Sequence, residues 1–338
     1  MNKKTGSTSP ISASWLLGSF CVVLILLRYF KQNTGGTNLD DVTMAHAAQD
    51  SSWIERFVTT PDVGRRAYYV HLPKGYDGKK SYPVVLNFHG GMSRADQQRE
   101  ISRMDETADK EGFIVVYPQG TGRTRLLTFN AGTCCGYAAN TKIDDVGYTR
   151  QILDDLEQTY KVDRRRIYAT GYSNGAMLCY RLACELSDRI AAIAPVSGTM
   201  GVEGPKPKRP VPVLHIHGLQ DRNVPFAGGK GANQFQPNPH RSVDSTLQWW
   251  RKVNRCEKEP KTADDADFER VSFTPEDGGA SIELYKIKEG GHTWPGGSEF
   301  GSHLNLGKVI KTVPANKIIW DFFNLHPMEA SQSKTDGK

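Results

Sequence analysis

Short, uninterrupted apolar runs alternate with segments of helical spacing, and this alternation constrains the chain more than any other feature. "YPVVLNFHG" (82–90), "FIVVYPQG" (113–120), "IAAIAPVSG" (190–198) and "VPVLHIHG" (211–218) read as strands buried on both faces. "RRAYYVHLP" (65–73), "RIYATGYS" and "SIELYKIKEGG" add further strands. Between them, "DDVGYTRQILDDLEQTY" (144–160) places apolar residues at helical spacing, with acidic residues in its first turn. Residues 94–111 are polar and helix-compatible, a helix starts at Asn174, another crosses "SVDSTLQWWRKVN", and a closing helix falls near 315–325. The pattern predicts an α/β fold, a mostly parallel central sheet with helices on both faces.

No internal repeat and no second composition regime interrupt residues 51–327, which read as one catalytic-sized domain before a polar tail at 328–338. Ahead of it, "ISASWLLGSFCVVLILL" (11–27) is mostly apolar and uncharged. As a helix it reaches about 26 Å, just short of a bilayer core. Lys3 and Lys4 precede it, so residues 1–30 read as a signal peptide or a membrane anchor, and residues 31–50 as a linker. Either reading sends the body across a membrane and predicts an extracytoplasmic protein, secreted or anchored. Positive charges flank both sides of the segment and leave its orientation open. The net charge of +6 is scattered and no nucleic-acid motif accompanies it, so no nucleic-acid partner is expected. Six cysteines fit neither a disulfide scaffold nor a zinc pattern.

"GYSNGAM" (171–177) puts a lone serine between a strand and a helix. Gly171-Tyr172-Ser173-Asn174-Gly175 fits G-x-S-x-G in the context of a nucleophile elbow, where a sharp turn needs small flanking residues. A serine hydroxyl needs a base, and in this architecture the partners follow in the order Ser, acid, His. Asp221, just past the strand at 211–218, is the candidate acid, and His292 in "EGGHTWPGG" the candidate base. His71 lies in an early strand, and His303 and His326 follow no strand. His215 and His217 share one strand face without a third ligand, so packing or local hydrogen bonding is expected there rather than a metal. "FHGGM" (88–92) supplies a turn whose Gly91 or Met92 N–H would serve the oxyanion together with that of Asn174, His89 bracing the loop. Trp294, beside the histidine, and Tyr172, beside the serine, are the candidate substrate-binding residues. Asp144 and Asp145 are expected to cap their helix and hold the cysteine loop.

"HGG", "NAGTCCGYAANTKIDDVGY", "ATGYSNGAMLCYRLACEL", "APVSGTM", "HIHGLQDRNVP" and "GGHTWPGG" together resemble the polyhydroxybutyrate depolymerase-like and feruloyl esterase-like proteins. The resemblance runs over roughly 65–300 with the motifs in family order. It implies the α/β-hydrolase fold and a triad that falls on Ser173, Asp221 and His292. It also implies a disulfide from Cys134 or Cys135 to Cys184, linking a site-lining loop to the nucleophile helix. Cys256 departs from the family pattern, whose pairing position falls where this chain has "FTPEDGGA".

These readings converge on a serine carboxylic-ester hydrolase that uses no metal and no organic cofactor. Feruloyl-type and hydroxyalkanoate-type esters both suit the resemblance, as small or oligomeric substrates. A hydrolase-fold binding protein without turnover, held at the cell surface, is the rival reading.

Overall fold

The structure, a computed structural model, describes residues 53–329 apart from 205, 233–237, 257 and 300–305. The expected export segment (1–30), the linker (31–50), His303 and most of the polar tail lie outside the described residues. Among the described residues no helix is long and apolar enough to cross a membrane.

Among the described residues ten strands form one sheet. In chain order they are β1 (Trp53–Thr60), β2 (Gly64–His71), β3 (Tyr82–Phe88), β4 (Ile114–Pro118), β5 (Val162–Tyr172), β6 (Ala192–Val196), β7 (Val213–Gly218), β8 (Lys261–Asp264), β9 (Phe268–Phe273) and β10 (Ile282–Ile287). Across the sheet their order is β1-β2-β4-β3-β5-β6-β7-β10-β9-β8. The middle strands, from β4 through β10, pair in parallel. Both margins pair antiparallel, so the sheet is mixed. Every residue of β3, β4, β6 and β7 is buried, as continuous apolar runs require. The margins give no such signal: β1 and β9 are half-buried and β8 is exposed throughout.

Among the described residues seven helices accompany the strands: α1 (Ala95–Ser102), α2 (Met104–Glu111), α3 (Gly136–Asn140), α4 (Asp145–Thr159), α5 (Asn174–Glu185), α6 (Val243–Val253) and α7 (Ala315–Asn324). The single helical stretch expected over 94–111 is two helices, because Arg103 turns left-handed at φ 52° and ends the first. Alternate residues of β3 feed opposite cores. Val84 and Leu86 pack in a cluster with Tyr148, Leu178 and Trp250 of α4, α5 and α6. Val85 packs in a cluster with Ala95, Ala108 and Phe323 of α1, α2 and α7. Both faces are therefore covered, and only the strand ends and loops remain to build a site.

Candidate active site

β5 ends at Tyr172 and α5 begins at Asn174, leaving Ser173 at the bend with φ 53° and ψ −113°. A non-glycine residue held there stores on the order of 1–3 kcal/mol of backbone strain. The surroundings fix it: its N–H donates to the Val196 carbonyl at 2.9 Å, and its carbonyl accepts from the Met177 N–H at 3.0 Å. The flanking glycines allow this closeness. A Cβ on Gly175 would sit 2.3 Å from the Phe88 carbonyl oxygen, and one on Gly171 2.8 Å from the same atom. The motif's spacing thus lets the bend close against the end of β3.

The Ser173 hydroxyl meets His292 Nε2 at 2.9 Å, and His292 Nδ1 meets Asp221 Oδ2 at 2.7 Å. Asp221 follows β7 and His292 follows β10, two parallel neighbours whose C-terminal ends lie side by side. The other carboxylate oxygen, Oδ1, accepts the N–H groups of Asn223 at 2.9 Å and Val224 at 2.8 Å. Burial opposes ionisation of Asp221, yet the neighbouring His292, its hydrogen bond and His217 outweigh it and hold the carboxyl below its usual range. With the Nδ1 hydrogen directed to Asp221, the Nε2 lone pair of a neutral His292 faces the hydroxyl.

The glycine turn after β3 lies over this bend. A Cβ on Gly91 would be 3.6 Å from the Asn174 Cβ. Met92 is a correction: its N–H donates to the Leu127 carbonyl at 2.8 Å and so is not free for an oxyanion. Gly91 and Asn174 remain, the latter being the first residue of α5, whose N–H has no intrahelical acceptor. His89 braces the turn. Its Nδ1 donates to the Gly90 carbonyl at 2.7 Å and its Nε2 accepts from the Gly120 N–H at 3.0 Å. Burial pushes its pKa down to about 4, which keeps the ring neutral.

The side chain of Asn174 has a second task that the motif does not announce. It accepts from the Phe129 N–H at 2.7 Å and donates to the Phe129 carbonyl at 2.9 Å, binding the cysteine loop to the Ser173 bend. That loop is held at its far end by Asp145, which accepts from the Asn130 N–H at 2.6 Å and from Arg66 at 2.6 Å. Burial pushes the Asp145 carboxyl up despite Arg66. Asp144 caps α4 through the Gly147 N–H at 2.8 Å. The expected bond from this loop to Cys184 is not present. Cys184 is a buried thiol on α5.

Tyr172 and Trp294 line a cavity of about 360 Å³ together with His292, Ile101 and Lys308. Trp294 is almost wholly buried and donates its indole N–H to Asn316 Oδ1 at 2.9 Å. The Tyr172 hydroxyl donates to the His292 carbonyl, tying the residue before Ser173 to the histidine loop. A second cavity, of about 370 Å³, opens beside the first turn of α5 and is lined by Thr133, Met177, Met200, Glu203, His240 and Arg241.

A strained serine between strand and helix, with histidine and aspartate on neighbouring strand ends, has the geometry of the nucleophile-elbow hydrolases. Residues 66–206 match the family model described as esterase PHB depolymerase. The chain is 32% identical over 237 residues to feruloyl esterase B of Piromyces equi, covering 67% of this chain and 42% of that protein. It is 30% identical over 211 residues to a bifunctional acetylxylan esterase/xylanase of Neocallimastix patriciarum, covering 62% and 29% respectively. The chain thus spans less than half the length of these two relatives. The acetyl xylan esterase from Aspergillus awamori superposes with a TM-score of 0.51 at 16% identity, over 71% of this chain and 94% of that one. The chain has the α/β-hydrolase fold, and its likeness is to the polyhydroxybutyrate depolymerase-like and feruloyl esterase-like proteins, as the motifs imply.

Proposed function

We propose that the protein is a serine carboxylic-ester hydrolase that acts outside the cytoplasm on feruloyl-type or hydroxyalkanoate-type esters. The observation that carries the reading is the hydrogen-bonded line from Ser173 through His292 to Asp221 at the N-terminus of α5. Ser173 attacks the ester carbonyl while His292 takes its proton and then passes it to the leaving alcohol. Asp221 holds the ring in the tautomer that can accept at Nε2 and stabilises the imidazolium. The N–H groups of Gly91 and Asn174, with the positive end of α5, receive the developing oxyanion. Water, activated by the same histidine, then releases the acid. The cavity lined by His292 and Tyr172 has room for part of the ester. The relatives named as feruloyl and acetylxylan esterases support the ester class, and the apolar segment 11–27 supports export.

The test is one expression experiment with the full chain and Ser173→Ala. Medium, membranes and cytoplasm are assayed with p-nitrophenyl acetate, methyl ferulate and hydroxybutyrate oligomers. Turnover is expected in medium or membranes, and Ser173→Ala is expected to lose roughly 10³-fold or more in kcat. A wild type that cleaves none of these esters and takes no fluorophosphonate label refutes the esterase. Activity confined to the cytoplasm refutes export alone.

A further inference from the structure

β7 carries two histidines, His215 and His217, on the face that meets Tyr180 of α5 and Trp250 of α6. Both rings are fully buried. Among the described residues no group of three His, Cys, Asp or Glu side chains could hold a metal ion. The two rings instead form part of a line. The Tyr180 hydroxyl lies 2.7 Å from His215 Nδ1, and His215 Nε2 lies 3.0 Å from His217 Nδ1. His217 Nε2 lies 2.8 Å from the Val224 carbonyl oxygen and 3.4 Å from Asp221 Oδ2.

The chemistry of the end group fixes every hydrogen along this line. A carbonyl oxygen only accepts, so His217 Nε2 carries a hydrogen. Its Nδ1, in the neutral ring, is then an acceptor, which places a hydrogen on His215 Nε2. His215 Nδ1 is an acceptor in turn, and the Tyr180 hydroxyl donates to it. Burial pushes both ring pKa values down, so the neutral forms prevail. All the hydrogens point one way, toward the loop that carries Asp221.

We propose that His217, oriented by His215 and Tyr180, is a positioning residue for Asp221, a role that rests on the triad reading above. Val224 is held on both sides, its carbonyl by His217 and its N–H by Asp221 Oδ1. The His217 N–H also sets partial positive charge beside Oδ2, the oxygen that receives His292. Without that N–H the carboxylate is less fixed and more basic, and it retains the imidazolium to higher pH. The groups facing His292 are Ser173, Asp221 and Tyr172, with His240 and His217 within electrostatic reach. The line touches neither cavity, so KM should be spared.

The experiment compares wild type with His217→Leu, His217→Gln and Tyr180→Phe on p-nitrophenyl acetate across the pH range, beside thermal unfolding. His217→Leu is expected to lose about 10- to 100-fold in kcat, the scale of a misplaced catalytic group, with KM within about twofold. The acid limb of its kcat/KM profile should move to higher pH. His217→Gln, whose amide can place an N–H near the ring Nε2 position, should recover most of the loss, and Tyr180→Phe should fall between. A folded His217→Leu with wild-type kcat and pH profile overturns the role. Ring-nitrogen NMR of the histidine-labelled wild type is the second measurement and depends on no variant folding. His215 or His217 protonated on Nδ1 at neutral pH overturns the line itself. A wild type without turnover or fluorophosphonate labelling refutes the esterase instead, and the nitrogen spectra still test the line.

Discussion

The two margins of the sheet share antiparallel pairing but are fastened in different ways. At one side, Arg66 of β2 reaches Asp145 at 2.6 Å with both side chains almost fully buried, its guanidinium 3.5 Å from the centre of the Tyr148 ring. Next to it, Arg56 of β1 pairs with Asp155 of α4 at 2.7 Å. At the other side, Arg270 of β9 meets Glu283 of β10 at 2.8 Å and Lys286 meets Glu269 at 2.8 Å, all partly in water. The first margin is thus tied inward, to the helix and loop that Asn174 holds against the Ser173 bend. The ion pairs of the second join its own neighbouring strands to each other. Similar charges in similar ladders serve different ends, and burial decides which.

Removing one buried charge should have the largest effect. Asp145→Asn is expected to cost about 3–5 kcal/mol, because it strands a buried guanidinium. Arg66 Nε and Nη1 already have no hydrogen-bond partner in the structure. Urea unfolding measures the loss, and a parallel assay should show slower ester turnover as the loop held by Asn130 and Asn174 loosens. Unchanged stability would mean that the first margin is no better fastened than the second.

Acid should act next, at the centre rather than at either margin. His89 stays neutral in the fold until about pH 4, whereas the unfolded chain takes up its proton near pH 6.5. Its contribution is therefore complete above about pH 6.5 and lost as the pH falls toward about 4, on the order of 3 kcal/mol. Over that range the margin carboxylate Asp155 stays ionised: burial opposes this, but Arg56 and Tyr68 hold it below its usual range. Unfolding midpoints measured across this window should fall, and His89→Gln should flatten the slope. The smallest effect belongs to Glu283→Gln. It should cost less than about 1 kcal/mol, shrink in salt and leave turnover unchanged.

The same contrast explains what the sequence discloses. "YPVVLNF" reads as a strand because every residue is buried, whereas "WIERFVTT" and "KTAD" alternate or face water and resemble loop. The three residues that meet at the site are legible because each follows a recognisable strand and the glycines mark the bend. Met92 is not, since the fate of its N–H depends on Leu127 arriving from a hairpin far along the chain. His217 is half-legible. "HIH" in an apolar strand announces buried polarity, but only the distances reveal that the polarity leads to Asp221.

Parallel pairing also sets the time at which the site can exist. Ser173 precedes His292 by 119 residues, and His292 takes its place only when β10 has been inserted between β7 and β9. A chain emerging from the ribosome therefore displays its elbow long before it owns a base, and long-range pairing of this kind closes late. An intermediate that lacks β10 then holds Ser173 without His292, and under the proposed mechanism it would not turn over.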